Sequence, residues 1–176
     1  MSLPTWQAPL RPWITQQNRI AILGIGNPLR SDDAAGTLVA RRLVVSARIR
    51  DLDSVLVMEA GHAPENATAG LRRFAPQVVL LIDAAEMGDV PGTIRWVDME
   101  EIDGMSASTH TLPLSMLAKY LILELGCEVK ILGIQPGSTE IGESVSKEVL
   151  QAVDEIVNGC TELLSEKVTF VHQTLN

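Results

Sequence analysis

The sequence is short of basic residues and has almost no cysteine, and both shortages limit what the chain can do. Lysine and arginine number 14 against 22 acidic residues, a formal net charge of −8. Nucleic-acid binding depends on clustered positive charge, so this balance argues against a nucleic-acid partner. Cys127 and Cys160 form neither a CxxC pair nor a metal-binding spacing. They are expected to be small packing residues in a reducing cytoplasm.

Long apolar runs are missing too. No apolar stretch approaches the length of a membrane span, and the most hydrophobic one, residues 78–82, stops at Asp83. The amino terminus lacks the basic-then-apolar pattern of a secretion signal. These features predict a cytoplasmic protein with no membrane insertion. With 176 residues, 46% of them hydrophobic, the chain is long enough to form one folded domain with a proper core.

Common nucleotide and hydrolase signatures are absent as well. The chain has no P-loop, no HExxH and no GxSxG. Gly24-x-Gly26 follows an apolar run, but Leu29 stands where a dinucleotide fold has its third glycine. Asp32 and Asp33 would also place negative charge beside a pyrophosphate. A small-nucleotide-binding regulatory domain is therefore only a secondary hypothesis.

What the sequence does contain is an alternation of apolar strands and amphipathic helices. Strands are predicted at 19–25, 54–58, 77–83, 93–97 and 128–135, and helices at 34–49, up to Phe74, 113–125 and 144–165. This order predicts an α/β sandwich with a mainly parallel sheet. The Pro91-Gly92 turn is too short for a parallel crossover, so one strand is expected to be antiparallel.

The predicted domain covers residues 19–167 and has an extension at each end. Residues 1–18 contain Pro4, Pro9 and Pro12, which predict an extended arm before the domain. Residues 168–176 are expected to be a tail of uncertain form.

Two aspartates at predicted strand ends are the first candidates for chemistry. Asp33 lies where the first strand gives way to a helix, and Asp83 ends the most hydrophobic strand. The first and third strands of a doubly wound sheet are often neighbours, which would bring both acids to one rim. The alternative is structural: Ser31 or Asp32 would cap the helix, acids in a first turn complement its dipole, and Asp83 could simply form a turn.

Several other polar residues follow predicted strands. His110 lies in a loop before a helix, where a neutral imidazole is favoured, and with two carboxylates it would suit nickel, zinc or cobalt. As isolated features, His110 and His62 also fit ordinary polar loops. Gln135 follows the last strand and would line a groove at the same sheet edge.

Taken together, these motifs resemble those of the [NiFe]-hydrogenase maturation endopeptidases, over residues 19–165. The resemblance is closest to the branch that processes the large subunit of formate-hydrogenlyase-type hydrogenases. It is carried by the following segments, in family order: GIGNPLRSDDAAG, GHAPEN, LLIDAAEMGDVPG, STHTLPL and LGIQP. The resemblance implies a three-layer α/β fold with a twisted five-stranded sheet flanked by helices. It also implies a protease that removes a C-terminal extension from the nickel-loaded large-subunit precursor.

The resemblance further implies a metal-binding, aspartic-type site. By motif position, Asp33, Asp83 and His110 would bind the metal. For the chemistry itself, a water molecule is expected to attack the peptide bond with a carboxylate as general base, Asp33 in preference to Asp83. The cofactor would be nickel supplied by the precursor, for which zinc or cadmium could substitute in crystals. Asn27, His62 and Gln135 are expected to contact the substrate. A second hypothesis is a metal-binding chaperone that inspects nickel insertion without cleaving the precursor.

Overall fold

Five strands form one sheet that organises the molecule. The computed structural model describes residues 5–15, 18–46, 49, 52–105 and 113–174. The strand order is β2-β1-β3-β5-β4, with β1, β2, β3 and β5 parallel and β4 antiparallel to β5. The predicted α/β sandwich with one antiparallel strand is confirmed. None of the helices in the described ranges is long and apolar enough to span a bilayer.

The elements have the following bounds. The strands are β1 (Ile20–Ile25), β2 (Val55–Gly61), β3 (Val78–Ala84), β4 (Ile94–Val97) and β5 (Glu128–Ile134). The helices are α1 (Gln7–Thr15), α2 (Ala35–Val44), α3 (Thr68–Phe74), α4 (Ile102–Met105), α5 (Leu114–Leu125) and α6 (Lys147–Thr174). Short 3-10 turns at Ser31–Ala34 and Pro64–Ala67 precede α2 and α3.

The two faces of the sheet are covered by separate helical layers because strand residues alternate between them. One face packs against α1, α2 and α6 and buries Ile20, Ile22, Val78, Leu80, Ile82, Leu132 and Ile134. The other packs against α3, α4 and α5 and buries Ala21, Leu23, Ile25, Val79, Leu81, Val129 and Ile131. All seven residues of β3 are buried, as its continuous apolar run predicted.

Residues 7–15 of the amino-terminal arm form a helix, so the prediction of an extended segment is wrong there. Trp6, Leu10 and Ile14 are each at most 3% exposed and belong to the core that α6 covers. Their spacing of four residues gives α1 one apolar face, and Pro12 lies inside the helix. The prolines favour an extended arm when the sequence is taken alone, but tertiary packing of this face outweighs the cost of Pro12.

Other predicted boundaries also shift. Helix α6 runs through Thr174, so most of the predicted tail at 168–176 is helical in its backbone. Helix α2 ends at Val44, before the predicted end at residue 49. The loop predicted at 98–111 contains the single-turn helix α4.

Candidate active site

The carboxyl ends of β1 and β3 lie side by side, where the strand order reverses. Gly24 of β1 pairs with Ile82 of β3, so the residues after them leave the sheet at the same edge. Helix α2 begins directly against these ends. A Cβ atom on Gly36 would lie 2.0 Å from the Ile82 carbonyl oxygen and 2.5 Å from that of Ile25. Only glycine permits this approach, which places the start of α2 against both strands.

Asp33 lies in the 3-10 turn just before α2 and has no solvent exposure. Its Oδ2 accepts a hydrogen bond of 3.0 Å from the backbone N–H of Asn27. Gly26, with φ +132°, packs so closely on this turn that a Cβ atom would lie 1.8 Å from the Asp33 carbonyl oxygen. The glycine turn after β1 therefore fixes the position of this acid.

Asp83 is also fully buried, next to the last residue of β3. Its Oδ1 accepts a 2.9 Å hydrogen bond from the backbone N–H of Ala84, and in the sheet it pairs with Gly133 of β5. Burying a carboxylate is costly unless it is compensated by hydrogen bonds, ion pairs or a metal. Two such acids at neighbouring strand ends form the chemically unusual feature of this edge.

Asp32 was predicted as a possible cap of its own helix, but it instead holds a loop that is distant in sequence. The 3-10 turn and α2 have no side-chain cap. Asp32 is 0% exposed and accepts hydrogen bonds from the backbone N–H groups of Gly137, Ser138 and Ser146. The Ser146 hydroxyl donates to it as well, at 2.9 Å. Asp32 thus ties the acid-bearing turn to the β5–α6 loop.

Three predicted substrate contacts lie on loops of this edge. Asn27 is half-buried, and its Oδ1 accepts a bond from the Leu29 N–H, while His62 is exposed after β2. Gln135 is only 3% exposed. Its Oε1 accepts hydrogen bonds from the backbone N–H groups of Met87 and Asp89. Its Nε2 donates to the Glu86 carboxylate and to the Pro136 carbonyl. This arrangement favours a role for Gln135 in shaping the loop over direct contact with a substrate.

The third predicted metal ligand, His110, lies outside the described residues, between Met105 and Pro113. Within the described ranges, no group of three or more His, Cys, Asp or Glu side chains is placed to hold a metal ion. The structure therefore brings the turn of Asp33 and the end of β3 together, and the ligand role of these two acids with His110 stays a prediction.

Neither cysteine is suited to act as a nucleophile. Both thiols are free and buried. Burial raises the pKa of the Cys160 thiol to about 12 and also raises the pKa of the Cys127 thiol. A thiolate is the reactive form of cysteine, so at neutral pH both side chains are inert. Any peptide-bond chemistry at this edge has to come from other groups.

A cavity of about 480 Å³ lies elsewhere, between α1 and the β4–β5 pair. Trp13, Trp96 and Lys130 are among the residues that line it. Lys130 pairs with Leu80, three residues before Asp83 on β3, so the cavity lies toward the opposite edge of the sheet. It is separate from the two buried acids.

Comparison with known proteins gives a consistent picture. The family model described as hydrogenase maturation protease matches residues 39–163. The chain is 33% identical over 136 residues to the hydrogenase 3 maturation protease of Escherichia coli K12, covering 77% of this chain and 84% of that protein.

Solved structures of similar proteins agree with this match. The crystal structure of the [NiFe] hydrogenase maturation protease HycI from Thermococcus kodakarensis KOD1 is similar with a TM-score of 0.77 and 32% identity, covering 89% of this chain and 98% of that one. The solution structure of the endopeptidase HycI from Escherichia coli has a TM-score of 0.69 and 32% identity, covering 79% and 86%.

Proposed function

Since this chain belongs to the hydrogenase maturation protease family, we propose that it cleaves a C-terminal extension from the nickel-loaded large-subunit precursor of a [NiFe]-hydrogenase. The observation that carries the proposal is the pair of fully buried aspartates, Asp33 and Asp83, on neighbouring ends of β1 and β3. Open α/β sheets bind ligands at the carboxyl ends of strands where the strand order reverses, so the precursor segment is expected at this edge. The chain would therefore act on a peptide bond held at the reversal point of the sheet.

Asp33 is the proposed general base. A water molecule at the scissile bond would transfer a proton to the Asp33 carboxylate as its oxygen attacks the carbonyl carbon. The same proton would then pass to the departing nitrogen as the C–N bond breaks. The backbone N–H of Asn27 holds Oδ2 of Asp33, so the carboxylate enters the reaction already oriented. This mechanism needs no cysteine, in keeping with the two buried thiols.

Nickel enters this proposal as part of the substrate. Carboxylate and imidazole groups are suitable donors for a divalent ion of this type. We expect Asp33, Asp83 and His110 to recognise nickel already inserted into the precursor, and recognition would place the scissile bond at the acids. The donor set fits in chemical type, since the two described members are buried carboxylates.

Substitution of the three predicted ligands tests this function. Asp33→Asn should lower the rate of precursor processing by roughly a hundredfold or more, since general-base catalysis contributes about 10²–10⁴. Asp83→Asn and His110→Ala should also lower the rate, because each removes a proposed nickel ligand. The amide variants keep the size of each side chain and remove its basicity. Processing is measured by the mass of the precursor over time.

Asp53→Asn is the matched control, because Asp53 is an exposed aspartate before β2 at the opposite edge of the sheet. It should process the precursor at the wild-type rate. Full activity in Asp33→Asn, Asp83→Asn and His110→Ala would contradict the proposal.

A further inference from the structure

We propose that Arg30 is a substrate-positioning residue whose guanidinium donates a hydrogen bond to a main-chain carbonyl oxygen of the precursor, beside the scissile bond. This inference rests on the proposed peptidase function and adds a recognition group to it. Arg30 lies three residues before Asp33, in the turn that joins β1 to α2.

The first observation is an unused donor. Arg30 is half-buried, and its Nε is sealed from solvent without a hydrogen-bond acceptor. Buried donors in folded proteins are nearly always satisfied. Arg41, by comparison, donates both Nε and an Nη to Glu59 at 3.2 and 2.5 Å. No acceptor in the described chain does for the Nε of Arg30 what Glu59 does for Arg41. This indicates that a ligand supplies the acceptor.

The neighbouring acids, Asp32 and Asp33, form no hydrogen bond or ion pair with the Arg30 side chain in the described ranges. Both oxygens of Asp32 are engaged by donors of the β5–α6 loop, and Asp33 Oδ2 is held by the Asn27 N–H. No ion pair joins Arg30 to an acid in the described ranges. Simple neutralisation of an acid is therefore not what keeps Arg30 at this position.

The second observation is that the backbone around Arg30 is held by hydrogen bonds and is strained at Ser31. The Arg30 N–H donates to the Asn27 carbonyl at 3.0 Å, and the Arg30 carbonyl accepts from the Asp33 N–H at 2.9 Å. Ser31 then takes φ +44°, the left-handed region that non-glycine residues rarely occupy. Its hydroxyl locks this conformation by donating to the Ser144 carbonyl at 2.9 Å. Such strain concentrates at functional sites, and here it orients the residue just before it.

The charge of the surroundings selects the kind of acceptor. Asp32, Asp33 and Asp83 are fully buried at this edge, so an anionic ligand group would be repelled. A neutral carbonyl oxygen avoids that repulsion and still accepts a charge-assisted hydrogen bond. An extended substrate chain presents such an oxygen at every residue, including those next to the bond that is cut.

Kinetics of precursor processing with Arg30→Met, Arg30→Lys and Arg73→Met tests the inference. Arg73 is the control, an exposed arginine in the last turn of α3 with no ion pair in the described chain. The assays use purified nickel-loaded precursor. Arg30→Met should raise the half-saturating precursor concentration roughly tenfold or more, because it loses one hydrogen bond from a charged donor. The maximal rate of Arg30→Met should stay within about threefold of the wild-type rate. Arg30→Lys keeps the charge but has fewer donors, so its half-saturating precursor concentration should fall between those of the wild type and Arg30→Met.

An Arg30→Met variant with the half-saturation of Arg73→Met would overturn the inference, as would a loss confined to the maximal rate. Circular dichroism shows whether Arg30→Met folds. If it does not, the half-saturating precursor concentration of Arg30→Lys is compared with that of the wild type, and equal values count against the inference. If the wild-type protein leaves the precursor uncut, the proposed function and the inference fall together. An active wild type beside an unaffected Arg30→Met removes the inference alone.

Discussion

At the scale of single residues, two adjacent aspartates have different hydrogen-bond partners. Asp32 accepts hydrogen bonds from four donors of the loop between β5 and α6, whereas Asp33 accepts one from the backbone N–H of Asn27, just after β1. The first acid is a structural brace, and the second is the proposed general base. Local sequence could not separate them on physical grounds, because the donors to Asp32 lie more than one hundred residues further along the chain.

Asp32→Ala is predicted to destabilise the protein by about 3 kcal/mol, because it leaves three backbone N–H groups without their acceptor. Urea denaturation gives the free energy of unfolding. Asp32→Asn keeps one carbonyl acceptor and should lose less, and Asp53→Ala, at an exposed position, should change stability by no more than about 0.5 kcal/mol. An Asp32→Ala protein as stable as Asp53→Ala would show that the brace is unimportant.

At the scale of elements, the site depends on how closely α2 approaches β1 and β3. The switch-point rule for doubly wound sheets correctly predicted that β1 and β3 are neighbours. The glycines that allow the approach were visible in the sequence, but their contacts with Ile25 and Ile82 were not. Gly24 belongs to the same packing, since a Cβ atom there would lie 2.1 Å from the Gly36 carbonyl oxygen.

Gly36→Ala is predicted to push α2 away from both strands. Its Cβ would collide with two backbone carbonyl oxygens, which cannot move as a flexible side chain can, so a loss of about 1–3 kcal/mol is expected. Processing of the precursor should fall as well, because the turn that carries Asp33 would shift relative to β3. Thermal unfolding and a processing assay measure the two effects.

The matched control is Gly70→Ala, another helical glycine. There the nearest atoms are the flexible end of the Met58 side chain, at 3.0 and 3.3 Å. Alanine is the better helix former, so this variant should be as stable as the wild type or slightly more so. Equal effects of the two substitutions would contradict the role assigned to Gly36.

The first helix shows where element prediction failed. Pro9 and Pro12 suggested an extended arm, whereas Trp6, Leu10 and Ile14 are buried in the core beneath α6. The four-residue spacing of these three side chains was the available signal. Burial of a large apolar face outweighs local propensity, which is a tertiary effect that a short window of sequence does not contain.

At the scale of the whole molecule, the alternation of apolar runs was enough to predict the architecture. Buried and half-buried strands separated by amphipathic helices leave few topologies open, and a mainly parallel sheet with one antiparallel strand is what formed. The position of β4 in the sheet was harder to predict from the sequence. It pairs with β5 and not with β3, because β5, which comes later in the chain, lies between β3 and β4 in the sheet.

The site follows from this architecture, because residues far apart in sequence meet where the strand order reverses. Asp33 and Asp83 are placed at one edge by the pairing of β1 with β3, and both are completely buried. A chain that only inspected nickel insertion would bind the precursor at this edge and leave its length unchanged. A peptidase would shorten it, and only when the precursor carries nickel.

Intact-mass spectrometry of the precursor is the most direct test of the central claim. Wild-type protein and Asp33→Asn are each incubated with nickel-loaded and with metal-free large-subunit precursor. Wild-type protein should convert the nickel-loaded precursor into two fragments whose masses sum to that of the precursor plus one water. The metal-free precursor, and both precursors with Asp33→Asn, should remain at full length. A nickel-loaded precursor that binds wild-type protein and keeps its full mass, or equal cleavage by Asp33→Asn, would contradict the account.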